Sequence, residues 1–366
     1  MDSLTKQSVM APEFLAQAWS QIRDRAKEIR TSWAVDLDRV ILCGCGDSHH
    51  AVRCLEMAFA SWTDLDIWAA PALKAARYII PELGSTSTKT LVIGVSASGE
   101  VARTREAIEM GVAVGARTLA LTGDSNNSLA QTAHEYLTLS TPQIPHGPGL
   151  LSYLASLLMG YAVTSALSSK MRRQEIEVCI EEVPSVLNNW CDEQMKLGQQ
   201  FAEDASDGSV VFLGSGPAYG SALFAAAKLI EAAGVQAWGQ DVEEWTHMEY
   251  FCEPSNMPTW LLSAGGRSAS REAEVMEAAQ VLGRRIIVSR WEGAKHWSPQ
   301  IREALAPLGL WAGPAAYASH RAELVGEQPF RGFGGGRSRH EGGGASRIRS
   351  SSRLSLTEIL KNGRVE

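Results

Sequence analysis

Four short stretches of this 366-residue chain hold side chains able to do chemistry. Ser96-Ala97-Ser98-Gly99 follows the apolar run 90–95 and precedes a helical pattern that continues to Ala113. Backbone N–H groups at a helix start, with two hydroxyls beside them, form a site for a phosphate or similar anion. Serine is also a favoured helix cap, and one cap accounts for only one of the two. Gly46-Asp47-Ser48 ends the run 40–42 in the same way. It lies where open α/β sheets place ligands, although any strand-to-helix turn favours these residue types. Lys228 and Glu231, at i and i+3 in the small apolar run 221–233, share one helix face. Their carboxylate is either a general base or half of an ion pair that locks the helix. His247 follows Glu231 by sixteen residues in a polar stretch, 243–249, and is either a working group or a surface histidine among acids.

The elements that must position these residues alternate along the chain. Strand-like runs at 40–42, 90–95 and 116–122 are each followed by a turn, and amphipathic stretches at 51–62 and 100–113 read as helices. This is the pattern of βαβ units on a parallel sheet. The second half repeats it: Val210 to Gly216 resembles Val40 to Gly46 some 170 residues later, and Thr259 to Arg267 follows as Thr90 to Gly99 follows the first. The reading is an α/β chain of two tandem domains, each a parallel sheet flanked by helices. Its segments are an N-terminal helical segment 1–35, a first, anion-binding domain 36–171, a linker helix 172–205, a second domain 206–325 with Glu231 and His247, and a tail 326–366. Between Arg331 and Arg353 that tail holds six arginines, seven glycines and one acid, Glu341. It is either a solvated tail or a lid whose guanidinium forks meet an anion.

Composition excludes several classes. A net charge of −7 argues against nucleic acid as a partner, and no apolar run reaches the ~20 residues of a membrane span. The N-terminus lacks the order of a signal peptide. Six cysteines at 43, 45, 54, 179, 191 and 252 form no CxxC pair and read as reduced thiols of a cytoplasmic protein. Gly44-Cys45-Gly46 is followed by His49 where a dinucleotide fingerprint needs its third glycine, so no nicotinamide cofactor is expected. His49 and His50 are adjacent and diverge on a helix, so no metal is expected.

Together these motifs resemble the sugar isomerase (SIS) domain family, in particular the isomerase half of the glucosamine-6-phosphate synthases, over residues 36 to 310. The resemblance implies two tandem SIS-type domains. In that family a Ser-x-Ser-Gly-Glu-Thr loop grips the sugar phosphate; here it reads Ser96-Ala97-Ser98-Gly99-Glu100-Val101. Ser96, Ala97 and Ser98 carry over as anion-binding residues, and Gly46, Asp47 and Ser48 match the family's Gly-Thr-Ser turn. Val101 replaces a hydroxyl, Arg103 stands where an acid is usual and Asp47 replaces threonine, which makes a 6-sulfonate sugar a competitor to a 6-phosphate. The family's Ala-Leu-x-x-Ala-x-Lys-Leu-x-Glu helix is matched from Ala222 to Glu231. The resemblance thus implies that Glu231 moves a proton between C1 and C2, that Lys228 orients it, and that His247 assists ring opening in a neighbouring subunit's site. A family lysine that forms a Schiff base, five residues before a terminal Val-Glu, is matched in position by Lys361.

The expected function is an aldose–ketose isomerase for a hexose with an anionic C6 group. It works as a homodimer with a shared active site and needs neither cofactor nor metal, because the carbonyl acidifies the proton. The absence of a glutaminase domain, and of cysteine at residue 2, argues against building amino sugars from glutamine. Two alternatives stand beside it: a deaminase or deglycase of amino-substituted ketose 6-phosphates, and a non-catalytic sugar-phosphate-binding regulator.

Overall fold

The apolar runs that end in glycine become the central strands of two separate sheets. The computed structural model describes residues 1–33, 36–145, 147–204 and 208–326; Lys361 and the Arg331 to Arg353 segment lie outside them. The first sheet holds β1 (Arg39–Gly44), β2 (Asp66–Pro71), β3 (Thr90–Ser96), β4 (Arg117–Thr122) and β5 (Glu135–Thr138) in the order β2-β1-β3-β4-β5. The second holds β6 (Val210–Leu213), β7 (Ala237–Gln240), β8 (Pro258–Ser263) and β9 (Arg285–Arg290) in the order β7-β6-β8-β9. Every pairing is parallel. Helices flank both sheets, so β3, β6 and β8 are buried along their whole length, as strands covered on both faces must be. The edge strand β2 alternates between exposed and part-buried residues over most of its length.

The four strands of the second sheet repeat the order of the first four of the first, with close geometry. Each sheet places its first strand between its second and third. The strand-to-helix turns after β1 and β6 contain glycines with nearly the same backbone: Gly46 at φ 55°, ψ −131° and Gly216 at φ 57°, ψ −129°. Two residues earlier, Gly44 and Gly214 let the helices Asp47–Trp62 and Pro217–Ala233 approach the strand ends. A Cβ at Gly44 would lie 2.8 Å from the Ser48 carbonyl carbon, and one at Gly214 2.4 Å from the Ala218 carbonyl oxygen.

The chain divides into two compact units, one around each sheet. One unit comprises Gln17–Pro142 and Ser152–Glu177; the other comprises Met1–Ala16, Gln143–Leu151 and, of the described residues, 178–326. The first sheet's core joins Ile41 and Val92 to Ala107, Ile108 and Met110 of the Ala102–Ala113 helix. In the second, Trp260 of β8 is buried, stacks on Phe212 of β6 at 5.9 Å and meets Tyr317 of the Ala312–Leu324 helix edge-on at 5.8 Å. The polar segment near 172–205 forms one helix, Lys170–Asp204. Among the described residues, no helix is long and apolar enough to cross a membrane.

Gly46 and Gly216 each have open space where a Cβ would stand, so alanine there meets backbone strain alone. Gly46→Ala and Gly216→Ala are each expected to cost about 1–3 kcal/mol, by similar amounts, as measured by denaturant unfolding of the two variants.

Candidate functional site

Strand order fixes where the first unit's chemistry sits. Chain leaving β1 goes to β2 on one side, while chain leaving β3 goes to β4 on the other. Ligands of open α/β sheets bind at this reversal, beyond the carboxyl ends of the strands. Gly46, Asp47 and Ser48 follow β1; Ser96 ends β3, with Ala97 and Ser98 after it. Because Gly44 pairs with Val95 in register, both turns emerge side by side. Thr104, in the first turn of the Ala102–Ala113 helix, donates its hydroxyl to Cys45 Sγ at 3.8 Å, tying the two turns together. Burial pushes the Cys45 thiol pKa up, although the Thr104 hydroxyl and the Arg103 charge pull it back.

The loop after β3 is built by its own serines. Ser96 Oγ accepts the Gly99 N–H at 3.1 Å, and Ser98 Oγ accepts the Glu100 N–H at 3.3 Å. Each hydroxyl oxygen thereby takes a backbone proton and keeps its own hydrogen to donate to an acceptor. Neither serine caps the following helix: the capping position is Val101, without a side-chain hydrogen bond. The reason is Gly99, which turns at φ 67° and places the helix start three residues further on. A Cβ at Gly99 would sit 1.9 Å from Asn127 Cγ. Asn127 in turn spends its amide on Thr122 Oγ1 (2.7 Å), the Asp124 carbonyl (2.6 Å) and the Ala130 N–H (2.9 Å). Glu100 accepts the Ser128 N–H at 2.8 Å and its hydroxyl at 2.7 Å, which hold the Glu100 carboxyl below its ordinary pKa.

The field at this loop favours an anion. The Ala102–Ala113 helix carries no acid in its first turn, which leaves the Glu100 carboxylate, turned to Ser128, as the acid next to its positive end. Arg103 forms an ion pair with Glu106, whose other oxygen takes Arg77 Nε at 2.8 Å. Two guanidiniums sharing one buried carboxylate leave a formal charge of +1 in that trio. On the opposite turn, burial and the charges of His50 and Arg53 push His49 down to about 4, against a hydrogen bond to the Ala70 backbone. Asp47 Oδ1 lies 3.6 Å from His50 Nδ1. Among the described residues, no three His, Cys, Asp or Glu side chains gather as metal ligands.

The second unit holds the remaining candidates. Lys228 is buried at 0% exposure on the Pro217–Ala233 helix, its Nζ 2.6 Å from Glu231 Oε2 and 5.0 Å from the Phe224 ring centroid. The i, i+3 ion pair therefore forms, and the buried ammonium anchors one oxygen of a carboxylate whose side chain is 36% exposed. His247 follows the short helix Val242–Trp245; its ring is 65% exposed, 3.4 Å from Glu243, which is itself held by Arg271 at 2.7 Å. Sequence reasoning missed Cys45, Thr104, Asn127 and the Glu100–Ser128 clamp. Asn127 and Ser128 begin a five-residue helix, Ser128–Thr132, too short to show a period.

His49 is favoured neutral in the fold. Its contribution to stability is complete above the ordinary pKa of 6.5 and is lost as pH falls from there toward 4. Between pH 7 and pH 4 the wild type is expected to lose about 3 kcal/mol more stability than His49→Gln, as read by denaturant unfolding at each pH.

Residues 35–166 match the SIS domain. The isomerizing glutamine–fructose-6-phosphate aminotransferase of Mycolicibacterium smegmatis is 28% identical over 245 residues, covering 64% of this chain and 38% of that protein. The chain spans half or less of the length of such relatives. The C-terminal domain of glucosamine-fructose-6-phosphate aminotransferase from Francisella tularensis superposes with a TM-score of 0.77 at 15% identity, covering 90% of this chain and 98% of that one. Tagatose-6-phosphate ketose/aldose isomerase from Escherichia coli does so with a TM-score of 0.69 at 15% identity, covering 89% and 94%. At such identities the superpositions establish the fold. The chain carries a SIS domain at residues 35–166 and is homologous to the isomerase domain of glutamine–fructose-6-phosphate aminotransferases.

Proposed function

We propose that the chain is an aldose–ketose isomerase acting on a hexose with an anionic C6 group, a 6-phosphate or a 6-sulfonate. The observation that carries this reading is the pair of turns, 45–48 and 96–101, side by side at the sheet reversal beside an acid-free helix start. Ser48, Ser96 and Ser98 donate hydroxyl protons to the anion, and the trio of Arg77, Arg103 and Glu106 adds its positive field. Glu231 takes the C2 proton of the open-chain aldose. The C–H electron pair becomes the C1–C2 double bond of an enediol as the C1 carbonyl oxygen gains a proton. Return of the proton to C1 then leaves the carbonyl at C2. Lys228 orients Glu231 by anchoring Oε2.

The exposed ring of His247 assists ring opening of a substrate held by a second copy of the chain, so that the homodimer is the working enzyme. The names of the relatives support a sugar phosphate as substrate; Asp47, Val101 and Arg103 keep the sulfonate in contention.

The test is proton exchange in D₂O, followed by NMR, with glucose 6-phosphate, fructose 6-phosphate, their 6-sulfo analogues and glucosamine 6-phosphate. Deuterium at C1 or C2 with interconversion is expected for one anion class. Ammonia release from the amino sugar, or binding of every sugar without exchange, overturns the reading. Glu231→Gln is expected to lower turnover about 10²–10⁴-fold while leaving ligand affinity unchanged. The Ser96→Ala, Ser98→Ala double variant is expected to weaken sugar binding about 10-fold or more, through loss of hydrogen bonds to a charged group. Mixing Glu231→Gln with His247→Ala chains is expected to restore about a quarter of wild-type turnover, because half of the mixed dimers' sites are then intact.

A further inference from the structure

The second sheet repeats the reversal point of the first, yet its loop meets charges of the opposite sign. β8 ends at Ser263 as β3 ends at Ser96, and the loop Ala264-Gly265-Gly266-Arg267-Ser268 leads into the helix Ala269–Val281. Gly265 turns at φ 65°, against 67° for Gly99, and its N–H is accepted by Ser263 Oγ at 3.2 Å, as that of Gly99 is by Ser96. The backbone is thus a cradle of donors of the same general kind, with its left-handed glycine two residues after the serine rather than three. Its donors, however, are taken by two buried carboxylates. Glu303 Oε1 accepts the Arg267 N–H at 2.9 Å and its Oε2 accepts Arg267 Nε at 2.9 Å. Glu272 accepts the Ser263 hydroxyl at 2.5 Å and the Ser268 hydroxyl at 2.6 Å.

The groups packed around the two loops differ as well. Glu272 stands in the first turn of its helix, where the first copy has no acid. A Cβ at Gly266 would lie 2.2 Å from the Glu303 carboxyl, as one at Gly99 would meet Asn127. A neutral amide packs under the first loop and a carboxylate under the second. Glu303 and Glu272 are 6% and 0% exposed, and a buried carboxylate is retained only where hydrogen bonds and charge compensate it. Here the guanidinium, the loop N–H, the serine hydroxyls and the positive helix end do so.

We propose that Glu303 is a resident anion of the second loop: it occupies the cradle that the duplication created, so that only the first loop accepts an external anion. Removing it opens a second phosphate site, with Arg267 as its cation. The inference deepens the functional reading above, because it assigns substrate binding to one of two similar loops.

Inorganic phosphate is titrated by ³¹P NMR into wild type, Glu303→Ala, and Glu303→Ala with Arg267→Ala, each also with Ser96→Ala and Ser98→Ala. Glu303→Ala is expected to bind one phosphate more per chain than its parent in both backgrounds, and the added Arg267→Ala to abolish the gain. Wild type binding no phosphate overturns a phosphate as the first loop's anion but not this proposal, since the gain is scored at the second loop. A folded Glu303→Ala that gains none overturns the proposal. If that variant does not fold, Glu303→Ser, which vacates the carboxylate's place but keeps a small polar group, is titrated instead. It is expected to gain one phosphate per chain, and a folded Glu303→Ser that gains none overturns the proposal.

Discussion

Because β1 hydrogen-bonds to β2 on one side and to β3 on the other, the connections of the first sheet depart in opposite directions, and a crevice opens where they part. Parallel strands point all their carboxyl ends to one edge, so both serine-bearing turns must emerge there together. The glycine before each turn completes the arrangement: with no Cβ at Gly44, the next helix starts against the strand end, its N–H groups aimed over the same edge. Backbone pairing thus collects donors from residues some fifty positions apart without any side chain reaching for another.

The same constraint acts twice, and the two outcomes show how little sequence is needed to change a site's character. Both sheets share their strand order and the conformation of their turn glycines. What separates them is an acid within one helix turn: arginines stand near the start of both helices, Arg103 after β3 and Arg271 after β8, and only the second has an acid in its first turn, Glu272. A fold repeated in tandem does not repeat its function, because function resides in the groups placed on it.

Much of this was legible in the sequence, for physical reasons that also mark the limit. The central strands β1, β3, β6 and β8 are continuous apolar runs ending in glycine or serine, and strands buried on both faces have to read that way. The edge strands β5 and β7 are four residues long and carry too few positions to show alternation. Ser96 and Ser98 were visible because their spacing is local. Their detailed task was not: a helix start one residue after Ser98 would have made one of them a cap, and only the left-handed turn at Gly99 moves the cap to Val101. Asn127 and Glu303 were invisible, since each matters through its contact with a glycine roughly thirty or more residues earlier. The Lys228–Glu231 pair could be read from helical spacing, and its 2.6 Å geometry follows that spacing.

One consequence of the chain's division concerns biosynthesis. The unit around the second sheet includes Met1–Ala16, and Asp2 and Thr5 are hydrogen-bonded to Ser319 at 2.7 and 3.1 Å. During synthesis Met1–Ala16 must therefore wait for nearly the last described helix. At roughly 5–20 residues per second that is a delay of some tens of seconds, during which Gln17–Pro142 and Ser152–Glu177 of the unit around the first sheet are already synthesised. The order of translation thus favours the half of the molecule around the first sheet as the earlier to mature, with Met1–Ala16 held in reserve as the closing piece of the other.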